Sequence, residues 1–278
     1  MDELKIRIGE QIRNIIHHFP RLYRLCCMFV RDYGKLYYSI LDKKFHYTDE
    51  IRKLKDSKKG KRCFVIGNGP SLTVQDLERL KEEDCFTANR IFKIFPETSW
   101  RPDYYAVDDW HGISSAEANQ LEIPHIFFGD YFFRKHKITN KNALVFYGHR
   151  TLDLKLESFG FSDDMAKEIY IGATVTFVNL QIAAYMGYKE IYLLGIDHSF
   201  PYEIDSSGKV VRNNAVNRSH FFKDTGATKI IGNIEGMTNA YLTAKNYADK
   251  HGIQIYNATR GGKLEVFQRV DFDSLFIE

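Results

Sequence analysis

Short apolar runs alternate with stretches of helical spacing from Cys63 onward. Cys63–Ile66, Cys85–Ala88, Tyr104–Val107, Ile123–Phe128, Ala143–Tyr147, Ile191–Leu194 and Ile253–Tyr256 have the length and composition of buried strands. Between them, Leu72, Leu77 and Leu80 predict a helix capped by Ser71. Thr174–Met186 reads as a buried helix and Thr238–Lys250 as an amphipathic one. Strands alternating with helices predict a mainly parallel sheet with right-handed crossovers, hence an α/β domain. The stretch 198–232 is irregular and polar, as expected of an active-site lid loop.

Residues 1–60 follow a different rhythm. Arg13, Arg21, Arg24, Arg31 and Lys35 interleave with Ile12, Ile15, Phe19, Leu22, Leu25, Phe29 and Leu36 at helical spacing on both sides of Pro20. A lysine-rich run from Lys53 to Arg62 then reads as a linker. The expectation is an N-terminal helical arm over 1–60 and a catalytic domain over 61–278. Such an arm either packs on the domain or on a second subunit of a homo-oligomer, or lies as a basic amphipathic helix on an anionic membrane.

Composition narrows this only slightly. At 278 residues the chain suffices for one large domain with an appendage, and a net charge of +3 gives no reason to expect nucleic acid. Cys26, Cys27, Cys63 and Cys85 lack zinc-ligand spacing and read as reduced thiols. The start MDELKIRIGEQ lacks the apolar core of a secretory leader, so the expectation is a cytoplasmic protein. Ile169–Tyr188 carries no formal charge and is long enough to span a bilayer. Its Thr174, Thr176, Asn179 and Gln181, with a strand directly after, argue instead for a buried helix.

The candidate chemistry sits at the ends of the expected strands, where open α/β sheets bind ligands. The first cluster is Gly67-Asn68-Gly69-Pro70-Ser71, a strand running into a Gly-rich turn and a helix start. Glycines let a phosphate or ribose approach the backbone, and a helix N-terminus adds unpaired N–H groups. The third glycine of a dinucleotide fingerprint and the Lys of a Walker loop are both absent. Asn89 closes the next strand with an amide that can donate and accept. Asp108-Asp109 follow the third and could hold Mg²⁺ against phosphates, or be a solvated turn. Asp197-His198 end the strand before the polar loop, and His220 lies within that loop among basic, acidic and hydroxyl groups, suiting a general base.

Three strings carry a resemblance: IGNGPSL at 66–72, ANRIF at 88–92 and MGYKEIYLLGID at 186–197. They resemble the bacterial sialyltransferases of glycosyltransferase family 42, and equally a broader family named for an archaeal 6-hydroxymethylpterin diphosphokinase. The likeness runs from about Cys63 to Asn257 and is thin between Trp110 and Ile169. Family 42 implies one Rossmann-like domain with a lid, and transfer of sialic acid from CMP-sialic acid with no metal or other cofactor. By that resemblance Asn68 and Asn89 contact the CMP donor, Thr174 at the start of the buried helix belongs to the same nucleotide site, with Asp197 expected beside it, Tyr202 stabilises the leaving phosphate and His220 is the base, with His198 its rival. The sequence departs from family 42 in Val175-Thr176 after Thr174, in His198-Ser199 after Asp197 and in the acidic pair Asp108-Asp109.

The expected function is therefore an inverting glycosyltransferase with a nucleotide-activated, CMP-linked sugar donor. Its acceptor would be a glycan or glycolipid of surface polysaccharide synthesis, met at the inner face of the membrane. A Mg²⁺-dependent diphosphokinase of the hydroxymethylpterin type, or a non-catalytic nucleotide-binding module, are the alternatives.

Overall fold

The computed structural model describes residues 19–107, 113–150, 159–204, 209–216, 218, 220–222 and 231–276. The described chain opens with helices α1 (Pro20–Phe45) and α2 (Tyr47–Lys53). Then come β1 (Arg62–Ile66), α3 (Val74–Glu78), β2 (Cys85–Ala88), a 3₁₀ helix over Asn89–Glu97, β3 (Tyr104–Val107) and α4 (Ser115–Gln120). The middle of the chain forms β4 (His125–Gly129), α5 (Asp130–Lys135), β5 (Ala143–Phe146), β6 (Gly148–Arg150), β7 (Ile169–Ile171), α6 (Val175–Tyr185) and β8 (Glu190–Leu194). The last part forms β9 (Tyr202–Ile204), β10 (Val210–Arg212), β11 (Ile231–Gly232), α7 (Ile234–His251), β12 (Gln254–Asn257) and β13 (Gln268–Arg269).

Eight strands make one all-parallel sheet in the order β13-β12-β8-β1-β2-β3-β4-β5. Strands β1 to β5 step away from β1 in one direction, and β8, β12 and β13 step away in the other. The reversal falls between β1 and β8, which makes that pair the topological switch point of a doubly wound sheet. Parallel strands covered on both faces must be apolar throughout, and the central ones are: Cys63, Phe64, Val65 and Leu193 are fully buried. One face carries α6 and α7 over a core containing Val65, Phe177, Leu180 and Tyr241; the other carries Leu72, Leu77, Ile91, Trp100 and Phe272.

The uncharged stretch before β8 begins with strand β7 and continues as α6, a buried helix as expected. Its Gln181 is fully satisfied: Oε1 accepts from the amides of Ser162 and Tyr170, and Nε2 donates to the carbonyls of Tyr170 and Phe177. Among the described residues no helix is long and apolar enough to cross a membrane. Burial pushes the thiols of Cys63 and Cys85 well above their ordinary value, which removes them from thiolate chemistry.

Two regions differ from the expectation. The run 53–62 is no free tether, because the amides of Asp56, Lys58 and Gly60 donate to the carbonyls of Tyr185, Met186 and Gly187. Ile51 on α2 is fully buried in the core, and the Tyr38 hydroxyl donates to the Val145 carbonyl at 2.8 Å. The stretch 198–232 is not purely irregular either: β10, β9 and β11 form a three-stranded sheet of their own in that order.

Candidate functional site

At the switch point the turn after β1 touches the end of β8 directly. The Gly67 amide donates to the Leu194 carbonyl and the Gly69 amide to the Gly195 carbonyl, at 2.8 and 2.9 Å. A Cβ on Gly69 would stand 1.9 Å from Asp197 Oδ2, and one on Gly67 would stand 2.4 Å from the Gly195 oxygen. Both glycines are thus required by the packing of two loops, and their amides are already engaged. The expected reason, space for a phosphate, is not the reason the structure gives.

Ser71 does not cap a helix. Its hydroxyl donates to Asp197 Oδ2 at 2.7 Å, with its amide on the same oxygen at 3.4 Å. The cap of α3 is Thr73, which forms a capping box with Asp76. That short helix therefore offers no open anion cradle: Thr73 and Asp76 side chains occupy its first turn, and Arg260 holds Asp76 at 2.6 Å. Burial raises the Asp197 carboxyl above the ordinary carboxylate range, opposed by the two donors from Ser71.

Three asparagines gather at the end of β2. Asn68 Nδ2 donates to the Ala88 carbonyl at 3.2 Å, and Asn179 Nδ2, from within α6, donates to the Thr87 carbonyl at 3.1 Å. These carbonyls can only accept, so each amide must turn its nitrogen toward the strand and its oxygen away. The Oδ1 atoms of Asn68, Asn179 and the adjacent Asn89 are all buried with no hydrogen-bond partner. A buried acceptor left unpaired costs about 1–3 kcal/mol, so three together make this a candidate place for a donor-bearing ligand. Asn89 and His198 both hold left-handed backbone, at φ 55° and 54°, a region that Asn and His enter more readily than most residues other than glycine. In the sequence Asn179 argues only against a membrane span, and its signal as a site residue is a polar position within a buried helix.

The segment 220–222 lies on the same turn: the Phe221 amide donates to the Asn68 carbonyl at 3.1 Å, and Phe222 is buried. Arg218 reaches the Pro70 carbonyl at 3.4 Å. His220 stacks on Phe222 with ring centroids 4.9 Å apart. Arg218 and residues 220–222 are thus seated against the Gly-rich turn, and His220 comes with them. His198 faces elsewhere, with Nε2 on Thr238 Oγ1 at 2.9 Å and its ring edge-on to Tyr241 of α7. Burial lowers its pKa, while Glu203 opposes that shift. Tyr202 opens β9, across from Arg212 and Ile231, rather than the turn. Thr174 caps α6, its hydroxyl accepting from the Thr176 amide at 3.3 Å. Asp108 and Asp109 lie outside the described residues. Among those described, no group of three metal-ligating side chains occurs.

A doubly wound parallel sheet with a polar cluster at its strand-order reversal defines a Rossmann-like α/β protein with a candidate ligand site at the switch point. Within that class, the chain belongs to the 6-hydroxymethylpterin diphosphokinase MptE-like family, whose model matches residues 39–203. No protein of curated function matches it by sequence. Among solved structures, the MAf glycosyltransferase from Magnetospirillum magneticum AMB-1 superposes with a TM-score of 0.51 at 14% identity, over 81% of this chain. The matched part spans 36% of that longer protein. The sialyltransferase CstII from Campylobacter jejuni, solved in complex with a substrate analogue, cytidine-5'-monophosphate, gives a TM-score of 0.35 at 16% identity. That match covers 76% of this chain and 85% of the sialyltransferase.

Proposed function

We propose that the protein is a glycosyltransferase that takes a nucleotide-linked sugar, most simply a CMP-linked one, at the β1/β8 switch point. The observation that carries the proposal is the set of unpaired amide oxygens of Asn68, Asn89 and Asn179. Such acceptors suit a ligand rich in donors, as a nucleoside is through its amino group and ribose hydroxyls. The fold likeness to a glycosyltransferase is consistent with the reading but does not carry it.

In this scheme His220, on the segment hydrogen-bonded to Asn68, removes the proton from an acceptor hydroxyl. The freed oxygen attacks the anomeric carbon, the bond from that carbon to the donor phosphate breaks, and configuration inverts. The departing phosphate takes the electron pair, and Tyr202, which lies on β9 and not at the turn, has no part in this step. The reaction needs no metal in this form. The acceptor would be a glycan or glycolipid.

A second reading follows from the family itself: transfer of diphosphate from ATP to a hydroxymethyl group, with Mg²⁺ on Asp108 and Asp109. Thermal-shift titrations against CMP, CDP, UDP, GDP and ATP, with Mg²⁺ or with excess EDTA, separate the two. Stabilisation grows with free ligand over Kd, reaching about 2.7 kcal/mol at a hundredfold excess. The favoured reading expects CMP to raise Tm in EDTA. A shift produced by ATP with Mg²⁺ alone would replace it with the kinase.

A further inference from the structure

Helix α1 has two faces of opposite character. One is docked: the Arg31 carbonyl accepts from the Tyr147 hydroxyl at 2.9 Å, Gly34 lies against the Tyr147 ring, and Tyr38 is buried. These residues fall three and four apart and so share one side of the helix. Leu22, Leu25, Phe29, Leu36 and Ile40 fall on the opposite side at the same kind of spacing. They are between 49% and 74% exposed. At 1.5 Å per residue this apolar stripe is about 27 Å long, and it points away from the domain.

We infer that this face docks the protein on an anionic lipid surface. Charge decides between lipid and a second copy of the chain. Of the cations on the helix, Arg21, Lys43 and Lys44 fall beside the stripe by helical spacing, while Arg31 lies on the docked face and Lys35 pairs with Glu168 at 3.2 Å; the acids on the helix are only Asp32 and Asp42. Both acids are already engaged, Asp42 by the amide and hydroxyl of Thr48 and Asp32 by Arg31. Two such helices would bring like charges together along the seam, whereas anionic headgroups complement them. The rim fits as well. Tyr33 stacks on Tyr37, Arg134 lies 4.9 Å from the Tyr37 ring, Lys135 5.4 Å from Tyr131, and Lys44 5.1 Å from Phe45. Tyrosines beside cations are what the headgroup layer favours. Since no described helix is apolar enough to cross a membrane, α1 lies in the interface and does not span it. This inference stands apart from the donor site and survives if that reading fails.

The test is co-sedimentation of the full chain with vesicles of phosphatidylcholine alone and of phosphatidylcholine mixed with phosphatidylglycerol. The expected result is binding to the anionic vesicles that weakens as salt rises. The triple variant Leu22→Ser, Phe29→Ser, Leu36→Ser alters only exposed positions, so it keeps the fold, checked by an unchanged thermal melt. It should lose about a hundredfold or more in partitioning. Lys43→Glu with Lys44→Glu should lose binding to the anionic vesicles as well. The inference is overturned by equal binding to neutral vesicles, by a triple variant that partitions as the parent does, or by no binding at all. It is likewise overturned if sedimentation equilibrium gives a dimer that the triple variant dissociates while vesicles are ignored, because a second copy then covers the face.

Discussion

His198 and His220 lie at the same end of the sheet with different surroundings, and their tests differ accordingly. His198 is 8% exposed, and burial lowers its pKa, so the folded protein binds its proton less readily than the unfolded chain. Stability from the neutral ring is complete above the ordinary histidine value of about 6.5 and is lost as pH falls below it, through the depressed folded value. Asn accepts the same left-handed backbone, so His198→Asn should hold its shape. Melts of parent and variant across pH 8 to about 5 should show a flatter fall for the variant; parallel curves would mean that His198 has no part in the acid response. His220→Ala should leave the melt in place and lower turnover by roughly 10²–10⁴-fold with donor affinity little changed, the usual range for a lost general base. If only the His198 variant loses turnover while donor affinity stays, the base belongs at the end of β8. The sequence could point to both histidines by their neighbours, but only the chain path separates them: His198 Nε2 is held by Thr238, 40 residues away, and no local pattern announces that contact.

At the scale of elements, strands were legible and caps were not. Each strand of the large sheet from β1 to β5, with β8 and β12, overlaps a short apolar run to within a residue or two, because burial on both faces demands one. The two-residue β13 and the short β6, β7, β9, β10 and β11 leave too brief a pattern to read. Ser71 is the better cap by type, and tertiary contact decides against it: Asp197 takes the Ser71 hydroxyl, leaving Thr73 to pair with Asp76. Thr73→Ala should therefore cost about 1 kcal/mol and speed hydrogen exchange at the amides of Leu77 and Arg79, which donate into α3. Ser71→Ala should leave those two amides protected. Faster exchange in the Ser71 variant alone would return the cap to Ser71 and leave Asp197 without its assigned partner. The paired residues Gln181 and Asn179 show the same limit. Both read as polar positions in a buried helix; the fold satisfies one completely and leaves the other with an open acceptor beside Asn68.

For the whole molecule, the switch point follows from strand order, and strand order is set by which apolar faces meet, which a one-dimensional pattern does not encode. The same holds for where the arm ends. A lysine-rich run looks like a tether, yet the backbone of 56–60 is bonded to the end of α6, and Lys58 Nζ pairs with Asp84 at 2.7 Å. Ile51 is fully buried among Cys63, Tyr185 and Ile191 in the larger core cluster, so the unit containing the sheet also contains α2. We expect Ile51→Ala to cost about 2–5 kcal/mol, as buried Leu and Ile truncations do. A chain beginning at residue 59 loses that side chain, the Thr48 and Tyr38 contacts and the cover over Val145. It should melt well below the full chain or aggregate. A chain beginning just before Arg31 removes the part of α1 ahead of its first contact with Tyr147 and should melt close to the full chain. Thermal melts of the three chains decide the matter. Equal melting of the chain from 59 and the full chain would make all of residues 1–58 an appendage.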